Sequence, residues 1–157
     1  MSMHIVYCID TSSLLEAWTR QYPRVVFPSL WEKIEALIAT GRLCSPEEIR
    51  IELERKEDEL GKWAKAQSGL FVPLSHDQTT EVSQILTDFQ LLVDTSRGRS
   101  GGDPWVIALA KLHGYTVVTE EKLSNSPKKP KIPDVCNHYG IAYITVLELI
   151  RHEKWTF

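Results

Sequence analysis

The stretch that decides the fold is residues 103–119, DPWVIALAKLHGYTVVT, in which a helix, a glycine and a short strand follow one another. Asp103-Pro104 is a typical helix start, because Asp can cap a helix and proline suits its first turn. The apolar pattern continues to His113, and Gly114 ends the helix. Thr116–Thr119 then forms a strand. This unit predicts an α/β architecture.

The same alternation continues on both sides of this unit. Further strands are predicted at 4–9, 42–44, 70–74 and 141–145, and further helices at 12–20, 28–40, 45–60, 62–67, 78–93, 134–139 and 146–153. Ser45, Pro46 and Glu48 form a capping-box pattern at the start of the 45–60 helix. Five short apolar strands between helices predict one α/β domain over residues 1–157. Its parallel sheet should be covered by helices on both faces, with right-handed crossovers.

Composition limits the classes of protein that fit. The chain has 157 residues, 43% of them hydrophobic, and a net charge of −3, which suits one folded domain and argues against a general DNA-coating protein. No apolar run reaches the roughly 20 residues of a membrane span. The first residues lack the features of a secretion signal, so we expect a cytoplasmic protein. Cys8, Cys44 and Cys136 lack the spacing of zinc or disulfide sites and should be buried thiols.

Acidic residues are expected to converge at one edge of the sheet. Asp10 ends the first strand, and Glu121 follows the fourth, with Glu120 as its closest rival. Asp103 opens the helix before the fourth strand, and Glu52 lies at the border of the buried stripe of the 45–60 helix. Function in such sheets gathers beyond the carboxyl ends of the strands. Clustered carboxylates repel one another unless a cation neutralises them, and Mg²⁺ or Mn²⁺ prefers such ligands.

Each of these acids also has a purely structural interpretation. Asp10 and Asp103 could serve only as helix caps, because each stands where a helix begins. Glu52 and Glu121 could be ordinary surface residues. Residue types alone leave these alternatives open.

Four segments make the chain resemble a PIN domain. They are YCIDTSSLLEAW at 7–18, IRIELER at 49–55, GGDPWVIALAKLHG at 101–114 and TVVTEEK at 116–122. They occur in the family's order and on the expected elements. FPSLWEKI, DELGKWAK and KIPDVCNHYGIAYITVLELI further resemble a prokaryotic PIN-like branch whose function is uncharacterised. The longer Pro/Lys loop before Ile132 departs from compact PIN toxins.

The resemblance implies a fold and an activity. The family's sheet has strand order 3-2-1-4-5, and its members are metal-dependent ribonucleases that often act as toxins beside an antitoxin. The family's four acids fall on Asp10, Glu52, Asp103 and Glu121, which would hold Mg²⁺ or Mn²⁺. The fourth family acid is usually Asp, so Glu121 is a longer substitute. Three hydroxyl residues are assigned a supporting role beside the acids: Thr11, Ser12 and Thr119.

Basic residues near the acids are candidates for phosphate contacts with RNA. They are Arg97, Arg99, Lys122, Lys128, Lys129 and Lys131. The alternative is that they are solvated loop charges. Trp105 could stack on a base, although core packing is the simpler role. The apolar face of the 28–40 helix, with Leu30, Trp31 and Ile34, could contact an antitoxin or a second copy of the chain, or lie in the core.

Two other functions compete with a nuclease. A PIN-like module with weak catalysis could bind RNA or protein, since Glu stands at the fourth acid position. A phosphoryl-transfer domain with Asp10 as nucleophile is the second rival. That class needs a second Asp where Ser12 stands, or an acid pair where His4-Ile5-Val6 stands. We therefore favour a metal-dependent endoribonuclease acting on single-stranded RNA.

Overall fold

The computed structural model describes residues 4–54, 58–90, 92, 103–126 and 128–157. The strands are β1 (Tyr7–Ile9), β2 (Leu43–Pro46), β3 (Phe71–Val72), β4 (Thr116–Val118) and β5 (Tyr143–Ile144). The helices are α1 (Thr11–Glu16), α2 (Pro28–Ala39), α3 (Glu47–Glu54), α4 (Glu59–Ala66), α5 (His76–Asp88), α6 (Asp103–His113), α7 (Ile132–Tyr139) and α8 (Val146–His152). A π-helical turn at Ala17–Gln21 extends α1.

The strands form one parallel sheet in the order β3-β2-β1-β4-β5, which confirms the predicted topology. The central strand β1 pairs with β2 on one side and with β4 on the other, so that Cys8 lies between Cys44 and Val117. All three residues of β1 are buried. A strand that is buried on both faces has consecutive apolar residues without polar alternation, and YCI at 7–9 shows this pattern.

The core lies between the sheet and the helices that cover it. Helix α6 contacts β1, β2 and β4, and its Val106–Ala110 segment is fully buried, as expected of a helix that is apolar on all sides. On α2, Leu30, Trp31 and Ile34 are buried in the same core. This burial removes the apolar face of α2 as a docking surface for an antitoxin or a second copy.

The predicted capping box at Ser45 is wrong. Ser45 and Pro46 belong to β2, and α3 begins only at Glu47. The Ser45 amide donates to the Leu70 carbonyl at 2.8 Å, and its hydroxyl donates to the Ile9 carbonyl of β1. The side chain therefore links two strands of the sheet instead of capping a helix. Pairing with β3 explains this outcome, because it gives the backbone of this segment partners outside any helix.

Two predicted helix boundaries are also corrected. The 45–60 helix ends as α3 at Glu54, and a separate helix, α4, begins at Glu59 with Asp58 as its N-cap. The Asp58 carboxylate accepts a hydrogen bond from the Gly61 amide at 2.9 Å. Helix α7 begins at Ile132, two residues before the predicted start, because Pro133 suits the first turn of a helix.

The three cysteines lie in the interior, and each is a free thiol. A hydrogen bond with Cys44, together with burial, raises the pKa of Cys8, and burial raises the pKa of Cys136 to about 12. Their burial as free thiols confirms the prediction from their spacing. In the part of the chain that the structure describes, none of the helices has both the length and the apolar character needed to cross a bilayer.

Candidate active site

Asp10 lies at the carboxyl end of the central strand and is buried, with only 1% of its surface exposed. It follows β1 and serves as N-cap of α1, where its Oδ1 accepts a hydrogen bond from the Ser13 amide at 2.8 Å. Its Oδ2 accepts hydrogen bonds from the Thr119 hydroxyl at 2.6 Å and the Ser12 hydroxyl at 3.1 Å. Asp10 does cap a helix, but three donors from two segments fix its carboxylate, which exceeds what capping requires.

Burial raises the pKa of Asp10 from its ordinary value of 3.8 to about 6. The hydrogen bonds from Thr119 and Ser13 work in the opposite direction, because they stabilise the ionised carboxylate. Repulsion from the Glu121 carboxylate adds to the upward shift. A carboxyl group held with a raised pKa beside a second acid, at the edge of a parallel sheet, is a common arrangement in functional sites.

Two consecutive glutamates follow β4, and they have different partners. The Glu121 amide donates to the Thr119 hydroxyl at 3.1 Å, so that Thr119 links Glu121 to Asp10. The Glu121 carboxylate accepts from the Ile132 amide at 3.4 Å. The Glu120 carboxylate instead accepts from the Val146 amide, at the first turn of α8, at 3.0 Å. The Glu121 carboxylate is also the one whose repulsion raises the pKa of Asp10.

Glu52 reaches the same region from α3. Its Oε2 accepts a hydrogen bond from the Thr11 hydroxyl at 2.7 Å, which places the carboxylate beside the residue that follows Asp10. The side chain is half-buried, whereas Ile49 and Leu53 on the same helix are buried. This position agrees with the border of the apolar stripe that helical spacing predicts.

The direction of α6 places Asp103 at the same edge. The helix runs from Asp103 to His113, and the chain then turns at Gly114 into β4. Because α6 packs antiparallel to the strand that it feeds, its first residue lies near the carboxyl ends of the strands. Asp103 is only 6% exposed there. The topology thus places the four predicted acids on four segments near the carboxyl edge of the sheet.

A pocket of about 530 Å³ opens beside this edge. It is lined by Ser12, Glu16, Glu120, Glu121, Lys122, Leu123 and Lys131. Ser12 connects the pocket to Asp10 through its hydroxyl. Acidic residues from α1 and from the end of β4 therefore share one opening with two lysines, a charge distribution that suits a phosphate together with a cation.

The predicted phosphate contacts have different outcomes. Lys122 and Lys131 line the pocket, whereas Lys128 and Lys129 are exposed and do not belong to its described lining. Arg97 and Arg99 lie outside the described residues. Trp105 packs against the core, which supports the simpler of its two predicted roles.

The chemistry of the donors fits a hard divalent cation. Among the described residues, no three His, Cys, Asp or Glu side chains lie close enough to form a ready-made ligand cluster. Mg²⁺ commonly binds through only one or two carboxylates, and it keeps several waters and contacts substrate phosphates. The carboxyl groups of Asp10 and Glu121, which lie close enough to repel each other, fit that mode of binding.

Sequence reasoning overlooked Glu16 as a residue of this site. Glu16 lies four residues after Ser12 on α1, and both line the pocket. Residues spaced by four share one face of a helix, so the spacing was the available signal. Its ion pair with Arg20, at 3.5 Å, joins the partly buried Glu16 side chain to a largely exposed arginine.

Solved structures share this fold at low sequence identity. VapBC2 from Rickettsia felis, bound to a DNA fragment from its promoter, matches with 12% identity and a TM-score of 0.53. DNA-bound VapBC from Salmonella typhimurium matches with 15% identity and a TM-score of 0.54, and VapBC-1 from nontypeable Haemophilus influenzae with 11% and 0.56. Each match covers 90% of this chain and 98% of the other. These likenesses confirm the PIN-like fold.

The sequence itself identifies a family. The chain matches no curated protein. A family described as a domain of unknown function, DUF4411, matches residues 7–157, which include all four predicted acids and the lysines that line the pocket. The chain therefore belongs to the DUF4411 family and carries its domain on a PIN-like fold.

Proposed function

We propose that the protein is a metal-dependent endoribonuclease that cleaves single-stranded RNA by hydrolysis. The observation that carries this proposal is the buried Asp10 carboxylate, which Thr119 orients and the Glu121 carboxylate repels, next to a pocket that also contains lysines. The PIN-like fold supports the same activity, because the sequence resemblance implies a nuclease with acids at these positions. Asp10, Glu52, Asp103 and Glu121 are the proposed catalytic residues and cation ligands.

The side chains of the protein have separate roles in this reaction. A bound Mg²⁺ or Mn²⁺ would lower the pKa of water and stabilise the negative charge that develops on the phosphate. Asp10 and Glu121 would hold that cation, while Thr119 and Ser12 keep the Asp10 carboxylate oriented. Thr11 orients Glu52 in the same way.

The lysines of the pocket complement the substrate. An RNA strand is repelled by four carboxylates, so positive charge is needed at the rim of the site. Lys122 and Lys131, which follow Glu121 along the chain, line the pocket and supply this charge. They would bind phosphates of the backbone and thereby place the strand against the acids.

The direct test is cleavage of structured and unstructured RNA in Mn²⁺ by the wild type and by Asp10→Asn and Asp103→Asn. We expect the wild type to cleave the unstructured RNA, EDTA to stop the reaction, and each variant to lose at least about 100-fold in rate. Asp77→Asn is the matched control, since Asp77 is an exposed acid in the first turn of α5. It should cleave like the wild type.

Cleavage that persists in both variants or in EDTA would contradict the proposal and would indicate a contaminating ribonuclease. The rival interpretation, a binding module with weak catalysis, is separated by a thermal-shift titration with Mn²⁺. A nuclease with the proposed ligands should gain stability from Mn²⁺, and Asp10→Asn should gain less. A binding module without ligands should gain none.

An antitoxin partner is the second part of the proposal. The structural neighbours are VapBC complexes, and two of them are bound to DNA. By analogy, this chain would act as the toxin of such a pair and would need a partner protein to control it. A small DNA-binding protein encoded beside this chain is the observation that would favour that assignment.

A further inference from the structure

A lysine-rich loop between β4 and α7 forms one wall of the pocket. We call residues 122–126 and 128–131 the lysine loop. It carries four lysines, of which Lys122 and Lys131, at its two ends, line the pocket, while Lys128 and Lys129 are exposed. In length and lysine content this loop departs from the compact PIN toxins that the sequence resembles.

One carboxylate fastens both ends of this loop. The Asp134 carboxylate accepts hydrogen bonds from the Ser124 amide at 3.0 Å, the Ser124 hydroxyl at 2.9 Å and the Asn125 amide at 3.2 Å. It also accepts from the Lys131 amide at 2.9 Å. A single side chain of α7 therefore joins the start of the loop to its end. We call this arrangement the Asp134 clasp.

The backbone of the loop is shaped for the clasp. Asn125 has φ +54°, the left-handed conformation that Asn tolerates better than most residues. Successive amides that bend in this way form a concave anion site, and here its anion is the Asp134 carboxylate. The Ser124 hydroxyl also accepts from the Ser126 amide at 3.2 Å, which closes the turn.

The electrostatics of Asp134 agree with this role. Burial works to raise the pKa of the Asp134 carboxyl, but the hydrogen bonds from Lys131 and Ser124 outweigh it and hold the pKa below its ordinary value. The residue is therefore ionised wherever the proposed nuclease would work. Its negative charge opposes RNA binding, so it would lower affinity if it acted through charge alone.

We propose that Asp134 is a positioning residue that holds Lys122 and Lys131 in the pocket, where they bind two phosphates of a single-stranded RNA. This inference rests on the proposed function, because it names how that site binds its substrate. Asp134 does not contact the RNA itself. Its contribution is to order a flexible lysine pair before binding, which reduces the entropy that binding must overcome.

Fluorescence anisotropy with a labelled 12-nucleotide single-stranded RNA tests the inference. All variants are compared in the Asp10→Asn background without metal, so that the RNA stays intact. We expect Asp134→Asn to bind roughly tenfold more weakly than this parent, although it removes a negative charge. The slope of log affinity against log salt should flatten by about 1.4, or about 0.7 for each of two lost phosphate contacts. The matched control, Asp77→Asn, removes the same charge on α5 and should not weaken binding.

A double-mutant cycle then shows whether Asp134 acts through the lysines. Lys122→Gln with Lys131→Gln should weaken binding about as much as Asp134→Asn, and adding Asp134→Asn to that pair should cause no further loss. Losses that add would overturn the inference. So would an Asp134→Asn protein that binds as tightly as the Asp77→Asn control with an unchanged salt slope.

A milder variant covers the case in which Asp134→Asn does not fold. Ser124→Ala removes one donor of the clasp without changing charge and should bind about two- to threefold more weakly; unchanged affinity overturns the inference. A failure of this inference can also be distinguished from a failure of the proposed function. A chain that cleaves RNA but binds it independently of Asp134 loses only this inference, and a chain that binds through the clasp but cleaves nothing loses only the nuclease.

Discussion

Asp10 is surrounded by neutral hydrogen-bond donors, since Thr119, Ser12 and Ser13 are its described partners. Such partners lower the pKa of a carboxyl much less than a nearby cation would, so burial determines the outcome. The protein therefore keeps a destabilising carboxylate at the carboxyl end of its central strand. A bound cation is the ligand that would reverse this penalty.

The first prediction concerns the pH dependence of that penalty. Because folding raises the pKa of Asp10 from 3.8 to about 6, the folded state binds the proton more tightly than the unfolded state does. The wild type without metal should thus lose stability as the pH rises from about 4 to 6 and keep that loss above pH 6. Asp10→Asn does not titrate, so at pH 8 its free energy of unfolding should be ~3 kcal/mol higher than that of the wild type.

Urea unfolding at pH 4, 6 and 8 in EDTA measures this difference, which should be smallest at pH 4. Asp77→Asn is again the control, because its exposed carboxyl should show no comparable gain. An Asp10→Asn protein that is less stable than the wild type at pH 8 would mean that Asp10 serves mainly as a helix cap.

Sequence reasoning could place Asp10 but could not choose between Glu120 and Glu121. Asp10 ends an apolar strand, and the end of a strand is visible in the sequence. Both glutamates line the pocket, and only their hydrogen-bond partners distinguish them. The choice depends on α8, whose first turn binds Glu120, and that contact lies 26 residues away along the chain.

At the scale of elements, long and strongly patterned helices were predictable, and short polar signals were not. Helix α6 follows from its own apolar residues and from Gly114 at its end. The sequence around Ser45 matches a helix cap, yet Ser45 lies in β2, because its backbone forms hydrogen bonds in the pairing with β3. A cap is a local preference worth about 1 kcal/mol, and pairing within a buried sheet can override it.

The second prediction concerns the junction between α3 and α4. Helix propensity alone says that Gly61→Ala should stabilise α4 by about 1 kcal/mol. The structure predicts the opposite, because a Cβ on Gly61 would lie 2.8 Å from the Leu53 carbonyl oxygen and 3.3 Å from the Asp58 carboxylate. The backbone of α3 cannot yield as a flexible side chain would. We expect Gly61→Ala to lower the free energy of unfolding by ~1–3 kcal/mol.

Gly69→Ala is the matched control for this junction. A Cβ there would lie 3.5 Å from the Ile38 carbonyl oxygen, which is ordinary contact, so its stability should change little. Chemical denaturation of both variants gives the comparison. If Gly61→Ala proved more stable than the wild type, α3 and α4 would not pack as closely as described.

At the scale of the whole molecule, hydrogen bonds connect the end of α8 to residues far earlier in the chain. Glu153, just after α8, accepts hydrogen bonds from Arg42 at 2.8 and 2.7 Å and from the Tyr7 hydroxyl at 2.6 Å. These partners lie 111 and 146 residues away along the chain. The sequence predicts a helix at 146–153, but its residue pattern carries no information about which distant residues it will contact.

The last prediction tests this link through its pH dependence. The Arg42 guanidinium holds the pKa of Glu153 below its ordinary value of 4.5, and the side chain is only 12% exposed. The stabilisation should therefore be complete above about pH 5 and should disappear as the pH falls through the lowered pKa. Glu153→Gln should cost ~2 kcal/mol at pH 7, because Arg42 loses its charged partner, and clearly less at pH 3. Glu32→Gln, an exposed acid on α2, controls for charge and should cost little at either pH. Thermal or urea unfolding at both pH values measures this cost. A cost of Glu153→Gln that does not depend on pH would show that packing, and not the charge of Glu153, holds α8 to the amino edge of the sheet.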